Sequence, residues 1–199
     1  MGAGHTGRLW PSRGALGALF AVHLLVGQAM SWTSRFDPHF QHYSKRYFGA
    51  DFDWRWWKAQ AIAESALDST ALSWCGARGV MQVMPGTWKD MAPKLGLTNP
   101  WEVRQSIQAG IYYDARMWAI WRAPRPLEDR IAFALASYNA GAGHIIKAQV
   151  LVPDGQSKEW QPVAAQLHRV TGKHAEETRG YVSRIQRLYL CLIELTLAA

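Results

Sequence analysis

The residue best suited to proton-transfer chemistry is Glu64, followed by Ser65, near the end of the run WRWWKAQAIAESAL. Residues 54–67 lack Gly and Pro and read as one apolar, aromatic-flanked helix. A carboxyl in such surroundings has its charged form disfavoured by desolvation, so the sequence predicts an acid that keeps its proton near neutral pH. Lifting a Glu from about 4.3 to about 6 costs roughly 2–3 kcal/mol, which one functional position tolerates. An ordinary surface Glu on an amphipathic helix fits the same pattern.

Three further segments carry polar groups in telling places. In Gly79-Val80-Met81-Gln82-Val83-Met84-Pro85-Gly86-Thr87, Gln82 sets an amide among methionines, as sugar recognition requires; the segment also reads as a turn into a helix. Ala136-Ser137-Tyr138-Asn139-Ala140-Gly141 ends a helix with a phenol and an amide before a glycine break, and a plain helix C-terminus looks the same. Glu177-Thr178-Arg179-Gly180-Tyr181-Val182 opens the last helix with an acid suited to its dipole. Asp68, four residues after Glu64, shares its face only if the helix continues, but Asp68-Ser69-Thr70 reads as a helix end.

The elements that must position these groups are helical. Asn99-Pro100-Trp101-Glu102 reads as a helix start with a capping box. Behind it Val103, Ile107, Ile111, Trp118 and Trp121 predict a helix to about residue 121, stopped by Pro124 and Pro126. A helix is expected over about 127–137, a short one around Ile145 and Ile146, a loop over 150–157, and a final helix over 178–197. Strand alternation is almost absent, so the expected fold is an all-α globule.

The chain has 199 residues, room for one domain with a short appendage. Apolar residues at 49% against 19% charged exclude intrinsic disorder. Two cysteines exclude a disulfide framework and a four-cysteine zinc site, and Cys75 and Cys191 are expected to be packed thiols rather than a pair. The seven histidines, His144 and His168 among them, show no ligand spacing, so neither metal nor organic cofactor is expected. Net charge is +7, with five basic residues against Asp37 in the first fifty positions. That mild excess suits an acidic polymer or a membrane surface, and without a concentrated Lys/Arg stripe nucleic acid is not an expected partner. Of eleven Trp, most should be core, while Trp74 and Trp88 flank the Gln82 segment and are candidates for a groove.

Gly14 to Met30 is uncharged and follows Arg8 and Arg13. Residues 1–30 therefore read as an export signal or as an inner-membrane anchor, since seventeen weakly apolar residues fall short of the roughly 20 that span a bilayer. A packed helix, or a true start at Met30, is the remaining option.

Taken together, in this order, the Glu64-Ser65 pair, the Gly-x-Met-Gln-x-Met-Pro-x-Thr segment and the Ala-x-Tyr-Asn-Ala-Gly segment resemble the catalytic domain of soluble lytic transglycosylases and goose-type lysozymes, glycoside hydrolase family 23. The resemblance covers about residues 50–190 and places the catalytic domain in 31–199. It implies a lysozyme-like all-α domain with a catalytic cleft that cuts the β-1,4 bond from N-acetylmuramic acid to N-acetylglucosamine in peptidoglycan and leaves a 1,6-anhydro end. Carried over by position, Glu64 matches the acid/base and Ser65 its orienting neighbour. Met81 and Gln82 match groove residues, Tyr138 and Asn139 the sugar-contacting pair, and Glu177 and Tyr181 the final motif beside the catalytic Glu. The sequence departs from the usual wording at Ser106 and Gly180, where Asn is common. A monomer acting on glycan strands in the periplasm is expected, with phage host-cell lysis favoured over wall remodelling beside a secretion apparatus. Hydrolytic muramidase action is the alternative chemistry.

Overall fold

The computed structural model describes residues 32–153 and 155–197, so the 1–30 leader or anchor segment lies outside the described residues. Eight helices follow in order: α1 (Asp37–Phe48), α2 (Arg55–Ser65), α3 (Pro85–Leu95), α4 (Val103–Ile120), α5 (Leu127–Ala140), α6 (Ala142–Val150), α7 (Trp160–Thr171) and α8 (His174–Leu197). No strand forms among the described residues; two isolated antiparallel bridges, Leu72–Arg78 and Arg78–Val83, curl the segment before α3. The fold is all-α.

Helix α2 is the centre of the bundle. Every residue from Trp56 to Ile62 is buried, five of them apolar and two, Lys58 and Gln60, polar. It packs chiefly against α8, while α5 sits between α4 on one side and α6 and α8 on the other. Trp57 is enclosed by Phe48 and Phe52, the latter stacked at 5.2 Å. Lys58 is buried on α2 as well, and its charge is met by Asp37 at 2.6 Å. An unpaired charge there would cost several kcal/mol.

Helix boundaries shift in instructive ways. Glu102, not Asn99, caps α4: its carboxylate accepts the backbone N–H groups of Arg104 and Gln105 at 2.9 and 3.0 Å. Gln105 reaches back to the N–H groups of Thr98 and Asn99. The cap lies three residues along the chain from the expected one, and Gln105 ties the preceding loop to the helix instead of closing a capping box on Glu102. Helix α5 runs on to Ala140, and Gly141 (φ 87) ends it in a conformation suited to glycine. Helix α7 presents Trp160, Val163, Ala164 and Leu167 to the core, at the i, i+3, i+4, i+7 spacing of an amphipathic helix. Trp56, Trp57, Trp121 and Trp160 are core, whereas Trp74 is 99% exposed. Both cysteines are free thiols, Cys75 exposed and Cys191 buried.

Candidate active site

Helix α2 delivers Glu64 to the edge of an open cleft of about 510 Å³ and then stops abruptly. Ala66 and Leu67 are left-handed (φ 54 and 66), turning the chain away at once. Ser65 secures the turn: its hydroxyl donates to the Val80 carbonyl at 2.8 Å and to Ala61 at 3.3 Å. Ser65 thus positions the Glu64 end of α2 through the backbone of the next segment.

That segment forms one wall of the cleft. Gln82 has a left-handed backbone (φ 46), and its amide N–H group donates to the carbonyls of Ala71 and Gly79, each at 3.0 Å. Gln82 lines the cleft while bracing the loop. Met81 is the correction: its side chain is fully buried, so it packs behind the wall instead of contacting a ligand. It lies against Gly110 of α4, where a Cβ would come within 2.6 Å of it. Its carbonyl braces the cleft from behind, accepting the Tyr138 hydroxyl at 2.7 Å. Ser106, where the sequence departs from the usual Asn, accepts the Met81 N–H at 3.2 Å and so keeps this tether.

The opposite wall comes from α5 and α8. Tyr181 donates its hydroxyl to Glu64 Oε1 at 2.6 Å. Tyr138 lines the cleft beside Tyr113, the two rings edge to face at 5.1 Å. Asn139 accepts the Thr178 hydroxyl at 2.9 Å, which leaves its NH₂ as the remaining polar group at the cleft. Glu177 is an exposed carboxylate on the rim, 3.7 Å from the His174 ring. Trp74 lines the cleft and Trp88 packs partly buried against the core.

Electrostatics single out one acid. Burial pushes Glu64 up to about 7, opposed by the Tyr181 hydrogen bond and the Arg184 charge. Its place near the C-terminal end of α2, where the helix dipole is negative, acts in the same sense as burial. Burial and the nearby carboxyl hold Tyr138 and Tyr181 well above the usual phenol range, so both are neutral donors. Asp68 differs: Thr70 holds it by two 2.7 Å hydrogen bonds, its carboxyl is lowered, and it does not line the cleft.

One acidic group escaped the sequence reading. Asp114 is fully buried on α4 and bonded to Gln60 of α2 at 3.2 Å. The signal was present: Asp114 continues the buried Ile107–Ile111 stripe at helical spacing. Among the described residues no cluster of three His, Cys, Asp or Glu could hold a metal, and no helix is long and apolar enough to cross a membrane.

The Transglycosylase SLT domain family matches residues 49–161. Membrane-bound lytic murein transglycosylase F of Vibrio vulnificus is 35% identical over 169 residues, 78% of this chain and 30% of that protein. The protein of the same name from Vibrio cholerae is 33% identical over 174 residues, 80% of this chain and 31% of its own length. The chain therefore spans only about a third of these relatives. Among solved structures, an inactive variant of the lytic transglycosylase Slt from Pseudomonas aeruginosa superposes with TM-score 0.65 at 21% identity, covering 92% of this chain and 30% of that one. The 70 kDa soluble lytic transglycosylase of Escherichia coli gives 0.60 at 20% identity over 90% of this chain and 30% of that one.

Proposed function

The chain belongs to the Transglycosylase SLT domain family, and from that premise we propose that it is a murein lytic transglycosylase in which Glu64 is the acid and base. The observation that carries this reading is the state of Glu64: a half-buried carboxyl raised to about 7 and held by the Tyr181 hydroxyl. Such a group is protonated in much of the population at neutral pH, as a general acid must be, and still gives up its proton readily.

Protonated Glu64 donates to the oxygen of the β-1,4 bond between N-acetylmuramic acid and N-acetylglucosamine. The carbonyl of the substrate's own N-acetyl group stabilises the cationic sugar. Glu64, now ionised, takes the proton of the same sugar's 6-hydroxyl, and the 1,6-anhydro ring closes. An internal hydroxyl has a very high effective concentration, so no second carboxylate need activate water. Gln82, Tyr138, Asn139 and Glu177 border the glycan path, with Ser65 and Met81 supporting them from behind.

Glu177 gives the rival chemistry its one foothold. It is a solvated carboxylate on the same cleft, and activating water with it would make the enzyme a hydrolytic muramidase. Digestion of purified peptidoglycan followed by mass analysis separates the two. Anhydro-muropeptides are expected; products heavier by one water would assign hydrolysis instead. Glu64→Gln should abolish turnover, and full activity in that variant would remove the assigned acid.

The glycan strand is periplasmic, so the proposal includes export, with residues 14–30 as cleaved leader or retained inner-membrane anchor. The membrane-bound bacterial relatives support remodelling of a bacterial envelope. Host-cell lysis by a phage uses the same chemistry, and holin-like neighbouring genes would favour it.

A further inference from the structure

Beneath the cleft, one helical turn before Glu64 on the same face of α2, Gln60 meets Asp114 of α4, and both are 0% exposed. The Gln60 amide nitrogen donates to Asp114 Oδ1 at 3.2 Å. The other two polar atoms of the pair, Gln60 Oε1 and Asp114 Oδ2, have no partner. With Asp114 ionised, both orphans are acceptors and cannot satisfy each other. One proton on Oδ2 resolves both at once, because the acid then donates to Gln60 Oε1 and the two side chains form a reciprocal pair. Buried polar atoms are paired in native proteins, and a buried charge without a counter-charge is the costlier fault.

We propose that Asp114 is a positioning residue that keeps its proton in the working enzyme and, paired reciprocally with Gln60, holds the Glu64 end of α2 against α4 without placing a second negative charge under the cleft. Its surroundings agree. The titratable groups that face it are Glu64 from α2, Tyr113 on its own helix, Tyr138 from α5 and Tyr181 from α8. Burial, with the Glu64 charge second among the raising influences, lifts Asp114 well above the carboxylate range, and no Lys or Arg among the described residues offsets it. An ionised Asp114 would push Glu64 up further by like-charge repulsion. Kept neutral, it leaves Glu64 to titrate alone.

The catalytic consequence rests on Glu64 being the acid; the location of the proton does not, and the experiment reads the two separately. Asp114→Asn preserves shape and offers Gln60 the same donor and acceptor. In the native full chain the folded state binds a proton that the unfolded chain has released above about pH 4, so its stability falls as pH rises. The folding equilibrium of the native protein should therefore drop about tenfold per pH unit relative to D114N from about pH 4 up to the raised value. A stability gap that is constant with pH overturns the proposal. The alkaline limb of peptidoglycan digestion should stay in place in D114N, and a shift to lower pH would mean that Asp114 had been charged. If no pH yields digestion, the functional reading fails while the stability gap still decides Asp114. Infrared spectra of Glu64→Gln at about pH 8, where solvated carboxyls are ionised, give a check that does not need D114N to fold. A protonated carboxyl band is expected there, and its absence overturns the proposal.

Discussion

Replacing Tyr181 with phenylalanine removes one hydroxyl and one 2.6 Å hydrogen bond to Glu64 Oε1. That bond favours the charged carboxylate, so it pulls against the burial that raises Glu64 to about 7. A hydrogen bond to a charged group is worth about 1.5–3 kcal/mol. At about 1.4 kcal/mol per pH unit, losing it should raise Glu64 by about 1–2 units. The acid step needs protonated Glu64, so activity falls as pH rises through its pKa. Tyr181→Phe should move that alkaline limb from about 7 to about 8–9. The weaker pull of Arg184 remains and limits the shift. The assay is release of soluble muropeptides from purified peptidoglycan across the pH range. Stability supplies the sign check. Glu64 is raised relative to the unfolded chain, so the folded state is favoured below about 4.5 and loses ground as pH climbs to about 7. In Tyr181→Phe that loss should continue to higher pH. An alkaline limb that stays put, or moves to lower pH, refutes the assignment of Tyr181 as the donor that tunes Glu64.

Gly110→Ala should destabilise the fold by about 1–3 kcal/mol despite the better helix propensity of alanine, because its Cβ meets Met81 at 2.6 Å inside a packed core; the denaturant midpoint reports it. Turnover should fall as well, since the displaced Met81 carbonyl holds Tyr138. Gly180→Ala should do the reverse. Gly180 is exposed on α8 and nothing lies within 4 Å of the new Cβ, so melting should register a gain of about 0.5–1 kcal/mol with unchanged turnover. Trp74→Ala should leave stability untouched, as the ring is 99% exposed, yet raise KM for soluble glycan about 2–10-fold through lost stacking on sugar rings.

The helical class was legible because it depends on local pattern, whereas Glu64 stood out from an ordinary surface acid only beside the Gln82, Tyr138 and Tyr181 segments. Helix α7 is equally periodic in Trp160, Val163 and Leu167 but was not among the expected helices; Pro162 falls in its first turn, where a missing N–H breaks no intrahelical bond. The α4 cap is Glu102 and not Asn99 because Asn99 spends its side chain on the Trp101 N–H in the preceding turn, leaving the Arg104 and Gln105 N–H groups to Glu102. Met81 shows a deeper limit. A motif position marks a place in the fold, not a contact with the ligand, and here the side chain is core while the carbonyl anchors Tyr138 from behind. Asp114 escaped because a lone acid in an apolar stripe acquires meaning only when Gln60, from a distant turn of chain, is brought to it.

The cleft wall from Ala71 to Val83 is irregular chain, moored to the helical frame at a handful of points: Ser65 at Val80, Ser106 at Met81, Tyr138 at the Met81 carbonyl. Frame and wall are therefore separable inheritances. If the cleft binds glycan as proposed, substitutions at its outward positions Ser73 and Trp74 should change which decorated glycans are admitted while the moorings and Glu64 stay where they are.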